Sequence, residues 1–202
     1  LPGGTLNHFT KDLGIPQDID EAIAALARSS VKKVDVATVN ETVFINNASI
    51  GLYPVSLHIR DEIEDKLGKW GAAVVASIRA LVRFKTYTVT IGDETFKTPF
   101  VFVGNIHYTL EGIGGPVRHA IDAGVLTVLV AKTSSRAVLL KIALFALIGR
   151  AKQLDEFDIR EVESVTVATR RSHLSVSHDG EVERMKSDLH FAIRKGALNT
   201  RY

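Results

Sequence analysis

The chain has 202 residues, of which 46% are hydrophobic and 24% are charged, and its formal net charge is +2. This composition is that of an ordinary globular protein with room for one good core, and it excludes disordered and fibrous classes. The lack of cysteine excludes disulfides and thiolate metal sites, and the scattered basic residues, with Lys32-Lys33 and Arg170-Arg171 as the most evident doublets, argue against nucleic-acid binding.

Residues 1–30 predict two helices separated by a break. A short helix over Asn7 to Leu13 is expected to end at Gly14 and Pro16. Asp18 and Asp20 then lie where an N-cap and a first-turn acid belong, before the good helix formers of EAIAALAR.

At Val31 the pattern changes to alternating, β-branched residues. Two antiparallel strands joined at Asn40-Glu41 are predicted between Val31 and Ser49. We place a domain boundary near Ser30, which divides the chain into a helical lead-in, residues 1–30, and a β-rich remainder, residues 31–202.

The remainder of the chain is predicted to be β-rich with inserted helices. The helices are expected at Val55–Leu67, Trp70–Phe84 and Ser135–Ile148. The further strands are expected at Thr86–Ile91, Thr95–Val103, Val125–Val130, Ile159–Thr169, Leu174–Ser177 and Leu189–Arg194. These elements predict a mainly antiparallel β fold.

The sequence predicts neither a signal peptide nor a membrane-spanning helix. The first residues do not form the basic and then apolar pattern of a signal peptide, and the chain does not begin with methionine, so we expect a cut chain or a fragment. The longest apolar run, Ala137 to Ile148, is well short of the about 20 residues that a spanning helix needs.

Two consecutive glycines stand out at the start of the chain, in Leu1-Pro2-Gly3-Gly4-Thr5-Leu6-Asn7. Glycines before a helix let the backbone approach an anion, and a helix N-terminus presents free N–H groups. Thr5 and Asn7 add hydrogen-bonding side chains. From the residues alone, a simple glycine turn with Asn7 as N-cap is the stronger interpretation.

A second constellation is the Asp179-Gly180-Glu181 turn. Asp-Gly between strands is the commonest short hairpin signal, so a structural role is the default. The functional alternative is a pair of carboxylates on a rigid hairpin, one accepting a proton from an attacking hydroxyl and the other orienting a polar group or cation.

A third constellation is formed by Asn and Gly at the ends of apolar strands, in Phe44–Gly51 and Val103–Asn105. Asn at a strand end is usually a turn former, so each segment alone indicates little. No phosphate loop of the Gly-x-x-x-x-Gly-Lys type and no zinc-helix histidine pair is present.

In their order along the chain, these segments resemble the diacylglycerol kinase-like lipid kinases, which include bacterial diacylglycerol kinases and the sphingosine kinases. LPGGTLNHFTKDLGIP is similar to that family's second nucleotide segment, and FINNASIG to its Phe-x-Asn-x-x-(Ser/Gly)-x-Gly strand. The stretch Val103 to Val128 resembles its glycine-rich and Asp-Gly-x-Leu region, and SHDGE its late Asp-Gly-Glu.

The resemblance implies a two-lobed fold, with an α/β nucleotide-binding lobe followed by a β-sandwich lipid lobe, so that residues 1–30 would be a remnant of the first. It implies Asp179 as general base toward the lipid hydroxyl, with Glu181 as its partner. The residues implied to contact nucleotide phosphates are Gly3, Gly4, Thr5 and Asn7.

Three departures from the family pattern bear on these expectations. The first nucleotide motif, Gly-Gly-Asp-Gly-Thr, is absent, so ATP and Mg²⁺ are expected to be bound mainly by an upstream lobe. Ala123 stands where some relatives hold a structural magnesium ion through Asp, with Asp122 one place earlier, and no metal site is predicted. The triple glycine is only approximated in Glu111–Gly115.

The resemblance thus implies part of an ATP-dependent lipid kinase that phosphorylates a diacylglycerol-like alcohol, is cytoplasmic and contacts the membrane peripherally. We expect no nucleic-acid partner and leave a homodimer open. The chain alone is expected to be inactive. One alternative is a non-catalytic lipid-binding or regulatory module of the same fold. Another, a small-nucleotide kinase of the NAD kinase type, fits the Asp-Gly-Glu hairpin less well.

Overall fold

The computed structural model describes residues 1–4, 7–51, 85–105, 108–109, 117–118, 122–135, 138–139 and 157–202. The predicted helices Val55–Leu67 and Trp70–Phe84 and most of the glycine-rich loop and of the helix Ser135–Ile148 lie outside these residues. No helix within the described ranges is long and apolar enough to cross a membrane.

The helical lead-in is present. Helix α1 spans His8–Asp12 and α2 spans Ile19–Leu26. The predicted cap of α2 is confirmed, because a carboxylate oxygen of Asp18 accepts the backbone N–H groups of Asp20 (2.9 Å) and Glu21 (3.1 Å). Gly14 ends the first helical segment in a left-handed conformation, with φ 69°.

The described residues contain fourteen strands. They are β1 Val31–Val39, β2 Thr42–Phe44, β3 Asn47–Gly51, β4 Tyr87–Ile91, β5 Glu94–Thr98, β6 Phe100–Asn105, β7 Tyr108–Thr109, β8 Val117–Arg118, β9 Leu126–Ala131, β10 Phe157–Val162, β11 Ser164–Thr169, β12 His173–His178, β13 Glu181–Lys186 and β14 Leu189–Arg201.

Twelve of these strands form two antiparallel sheets that pack face to face. Sheet A has the order β2-β1-β14-β11-β4-β5, and sheet B has the order β10-β9-β6-β3-β12-β13, while β7 pairs with β8 separately. One hydrophobic cluster draws side chains from both sheets, and in it Phe44 and Phe191 meet edge to face with ring centroids 6.5 Å apart. The mainly β, sandwich-like fold is therefore as predicted.

Three of the predicted strand boundaries are wrong in the same way. The run to Ser49, the run Thr95–Val103 and the run Ile159–Thr169 were each expected to continue as one strand. Each instead leaves one sheet and enters the other, so that each is two strands: β2 and β3, β5 and β6, and β10 and β11. Alternation continues through such a crossing, because both sheets need an inward and an outward face.

The crossing from β5 to β6 is made at Pro99, which packs closely against Gly51 of β3. Pro99, which lacks an N–H donor, separates β5 from β6. The Pro99 carbonyl oxygen lies 2.1 Å from the position that a Cβ on Gly51 would take, and Gly51 has φ 96°. Only glycine fits this close approach of backbone to backbone.

Candidate active site

The N-terminal glycine turn is closed by a hydrogen bond of its own. The Gly4 N–H donates to Oδ1 of Asn7 at 2.7 Å. Asn7 has a left-handed backbone (φ 50°, ψ 36°), and its side chain does not cap α1, because it turns back toward Gly4. Asn7 is at the N-cap position of α1, as expected, but its side chain makes no capping hydrogen bond. Gly3 and Gly4 are exposed, and Thr5 lies outside the described residues.

The Asp179-Gly180 pair forms the two-residue turn of the β12–β13 hairpin, as its sequence predicts. His178 pairs with Glu181 across the turn. Both turn residues have positive φ, 46° at Asp179 and 96° at Gly180, which is the conformation that Asp-Gly turns favour. The turn thus holds the Asp179 side chain at a fixed place at one end of sheet B.

The Asp179 carboxylate is bound to a second segment of the chain. Its Oδ2 accepts the Ile45 N–H at 2.7 Å, and its Oδ1 accepts the N–H groups of Asn46 at 2.7 Å and Asn47 at 3.3 Å. The Asp179 N–H in turn donates to the Asn47 carbonyl at 3.0 Å. These charge-assisted bonds tie the hairpin to the segment where the chain crosses from sheet A to sheet B.

Asn105, at the end of β6, joins the same crossing segment from the other side. Its Nδ2 donates to the Ile45 carbonyl at 2.8 Å and to the Asp35 carbonyl at 3.1 Å, and its N–H donates to the Asn46 carbonyl at 3.0 Å. Its side chain is buried, and its Oδ1 has no hydrogen-bond partner. Asn105 therefore holds β1, β6 and the crossing segment together.

Asp35, in the middle of β1, extends this polar network into the core. It lies at an irregularity in the β1–β14 pairing, between Val34 and Val36. Its carboxylate is buried and accepts the N–H groups of Gly124 and Gly196, each at 2.7 Å. Burying a carboxylate costs free energy, and its two short hydrogen bonds to backbone N–H groups offset part of that cost.

The network brings together the three segments that the sequence marked separately. The end of β2 and start of β3, the end of β6 and the Asp179 hairpin meet at one end of the sandwich. Asp35 was missed, because an acid in VKKVDVATV resembles an outward-facing strand residue. No signal in the sequence marks its burial, because Val34 and Val36 share one face of an alternating strand and leave Asp35 on the other.

The other acids near the hairpin are more open. Glu181 is exposed on the first residue of β13, and Glu183 Oε2 lies 3.4 Å from His178 Nε2. Asp122 and Ala123 are exposed beside Gly124. Within the described ranges no group of three or more His, Cys, Asp or Glu side chains could hold a metal ion.

Comparison with known proteins finds similarity to diacylglycerol and lipid kinases. The model of the diacylglycerol kinase catalytic domain matches residues 1–39. A diacylglycerol kinase from Staphylococcus saprophyticus is 25% identical over 186 residues, which are 90% of this chain and 60% of that protein. A crystal structure from Bacillus anthracis str. Sterne, provisionally named a diacylglycerol kinase, has 29% identity and a TM-score of 0.70, covering 98% of this chain and 67% of that one.

The chain is thus similar, in sequence and in fold, to diacylglycerol kinase-like lipid kinases. A Streptococcus pneumoniae protein provisionally named a lipid kinase is 35% identical over 96 residues, which are 46% of this chain and 32% of that protein. The chain thus spans 60% or less of the length of these two curated relatives. The resemblance seen in the sequence is confirmed for this family, while the roles of single residues and the boundary near Ser30 stay predictions.

Proposed function

We propose that the chain is part of an ATP-dependent kinase that transfers the γ-phosphoryl group to the hydroxyl of a diacylglycerol-like lipid. The observation that carries the proposal is the polar network at one end of the sandwich. It fixes the carboxylate of Asp179 against three backbone N–H groups, at the meeting point of the three family segments. Phosphoryl transfer depends mainly on such positioning and on charge neutralisation.

In this proposal Asp179 accepts the proton of the lipid hydroxyl. A carboxylate can accept about four hydrogen bonds, and Asp179 accepts three from the backbone. The remaining lone pair is enough to accept one hydroxyl proton. General-base help of this kind is typically worth about 10²- to 10⁴-fold in rate. Glu181, exposed two residues later, would orient a polar group of the substrate or a cation.

The glycine turn would supply part of the nucleotide site. Because the Gly4 N–H is already taken by Asn7, the groups of the described turn left for phosphate oxygens are the Gly3 N–H and the Nδ2 of Asn7. We assign Thr5 to the same contact. So few donors hold ATP weakly, so we propose that ATP with its Mg²⁺ needs a further lobe, and that this chain alone has little activity.

The test is an Asp179→Asn variant of the full-length protein, assayed for phosphoryl transfer from radiolabelled ATP to dioctanoylglycerol. We expect kcat to fall by about 10²-fold or more. Because the Asp179 carboxylate also holds the crossing segment, thermal unfolding is measured in parallel. The matched variant for unfolding is Glu181→Gln, whose exposed side chain takes no part in the Asp179 hydrogen bonds. Near-normal turnover of a folded Asp179→Asn protein would rule out the base assignment.

One observation favours a second function, a non-catalytic lipid-binding or regulatory module. The Asp179 carboxylate, which the kinase proposal needs as a base, is already engaged by three backbone N–H groups within the protein. A module of this kind binds dioctanoylglycerol without ATP and gives no radiolabelled product in the same assay. Titration of ATP and of lipid separately into the full-length protein distinguishes the two proposals.

A further inference from the structure

Asn105 and the Asp179 carboxylate lie on opposite sides of the segment where the chain crosses from β2 to β3. Two consecutive peptide groups of that segment stand between them, the one that joins Ile45 to Asn46 and the one that joins Asn46 to Asn47. In a trans peptide group the C=O and the N–H point in opposite directions. Each group can therefore accept a hydrogen bond on one side and donate one on the other.

Both peptide groups are bonded in this way, so two hydrogen-bond chains run from Asn105 to one oxygen of Asp179. In the first chain, Asn105 Nδ2 donates to the Ile45 carbonyl at 2.8 Å. The N–H of the same peptide group, that of Asn46, donates to Asp179 Oδ1 at 2.7 Å. In the second chain, the Asn105 N–H donates to the Asn46 carbonyl at 3.0 Å, and the Asn47 N–H donates to the same Oδ1 at 3.3 Å. Hydrogen bonds in a chain polarise one another, so the donors of Asn105 strengthen the bonds to Oδ1.

The two oxygens of the Asp179 carboxylate are left unequal. Oδ1 accepts two N–H groups, which fill both of its lone pairs. Among the described residues, Oδ2 is bonded only to the Ile45 N–H, at 2.7 Å, and it keeps one lone pair. Because Asp179 is exposed, a substrate can reach that lone pair. The atom suited to accept the hydroxyl proton in the proposed reaction is therefore Oδ2.

The orientation of the Asn105 amide is fixed by its surroundings. The side chain is 2% exposed, and its Nδ2 faces the carbonyl oxygens of Ile45 and Asp35, so only a donor suits this place. Its Oδ1 is buried without a hydrogen bond, which costs free energy. The position thus combines a donor that orients the Ile45 peptide group with an unpaired acceptor, a combination that stability alone does not explain.

We propose that Asn105 is a positioning residue for phosphoryl transfer, which directs Oδ2 of Asp179 toward the lipid hydroxyl by fixing the peptide groups that hold Oδ1. The proposal rests on the lipid kinase function proposed above and adds which carboxylate oxygen takes the proton. In that step the hydroxyl oxygen forms a bond to the γ-phosphorus, and the bond from this phosphorus to the β,γ-bridging oxygen breaks with its electrons going to ADP. The hydroxyl proton goes to Oδ2, and Asn105 acts only through the crossing segment.

The experiment is a double-mutant cycle on kcat for phosphoryl transfer from radiolabelled ATP to dioctanoylglycerol by the full-length protein. Asn105→Leu removes the side-chain donor and keeps a similar volume. In the otherwise unchanged protein, we expect kcat to fall about tenfold with both KM values within about twofold, because the base is misplaced while the substrate sites remain. In the Asp179→Asn background the same substitution should change the remaining rate by less than about twofold, because Asn105 acts through the carboxylate.

Thermal unfolding of every variant separates positioning from stability. The matched control is Thr98→Val, which removes a buried hydroxyl that bonds the backbone of Phe100, at the other end of β6 from Asn105. Both Thr98→Val and Asn105→Leu should unfold at a lower temperature, but Thr98→Val should leave kcat unchanged. Asn105→Ser keeps a hydroxyl donor and should recover part of the lost rate. It takes the place of Asn105→Leu in the cycle if that variant does not fold.

A structural role and a positioning role of Asn105 give different results in the cycle. An equal loss of rate in both backgrounds would overturn the proposal and leave Asp179 as the general base. A fall in kcat in Thr98→Val as large as that in Asn105→Leu would also overturn it, because lost stability would then explain both. Near-normal turnover of the Asp179→Asn protein, or no product from the wild type, would contradict the proposed function itself and the role of Asn105 with it.

Discussion

The helical lead-in and the sandwich differ in how they are held. Helix α1 buries no residue and α2 buries only Ala22, while Ile19 and Ile23 on α2 are 52% and 51% exposed. An apolar cavity of about 230 Å³, with Phe9 and Tyr202 among its lining residues, lies between the helices and the end of β14. The sandwich has a continuous core and a polar network that links six segments of the chain. The lead-in thus depends on local hydrogen bonds such as the Asp18 cap, and the sandwich on packing and cross-strand bonds.

The largest effect is expected from opening the core of the sandwich. Phe191 on β14 is 1% exposed and meets Phe44 of β2 edge to face. Phe191→Ala should destabilise the protein by about 4 kcal/mol, because the cavity adds to the lost transfer free energy. Urea unfolding followed by circular dichroism measures this. Ile23→Ala on α2, an apolar side chain that is half exposed, is the control, and a loss of similar size there would contradict the contrast between the two regions.

A smaller but still large effect is expected from the polar network. Asp35→Ala leaves the buried N–H group of Gly124 and the half-buried N–H group of Gly196 without acceptors and should cost about 3 kcal/mol. Glu163→Ala, which removes an exposed acid paired with Lys195, should cost no more than about 1 kcal/mol. Equal midpoints in urea for these two variants would show that the Asp35 bonds do not stabilise the sandwich.

The same contrast explains what the sequence could predict. Local signals were enough for the Asp18 cap, the Gly14 stop and the Asp179-Gly180 turn, because each depends on a few neighbouring residues. The crossings at Pro99 and Glu163 were missed, since alternation runs through them unchanged and only the distant partner strands reveal the change of sheet. The crossings are therefore set by tertiary contacts and not by local sequence.

The candidate site follows this rule. Asp179 and Asn105 were marked by short motifs, but the bonds that join them through Ile45 and Asn46 connect residues more than fifty positions apart. Asp35 carried no motif at all.

The smallest effect sharpens the comparison most, because it should be confined to the lead-in. Asp18→Ala removes the acceptor of two N–H groups at the start of α2, a loss of about 1 kcal/mol. If the helix opens independently of the sandwich, the amides of α2 exchange with solvent about fivefold faster while the urea midpoint is unchanged. Asp20→Ala, which keeps the cap, is the control. A shift of the global midpoint by the full amount would show instead that the lead-in and the sandwich unfold as one unit, and that the light burial of α2 does not make it a separate element.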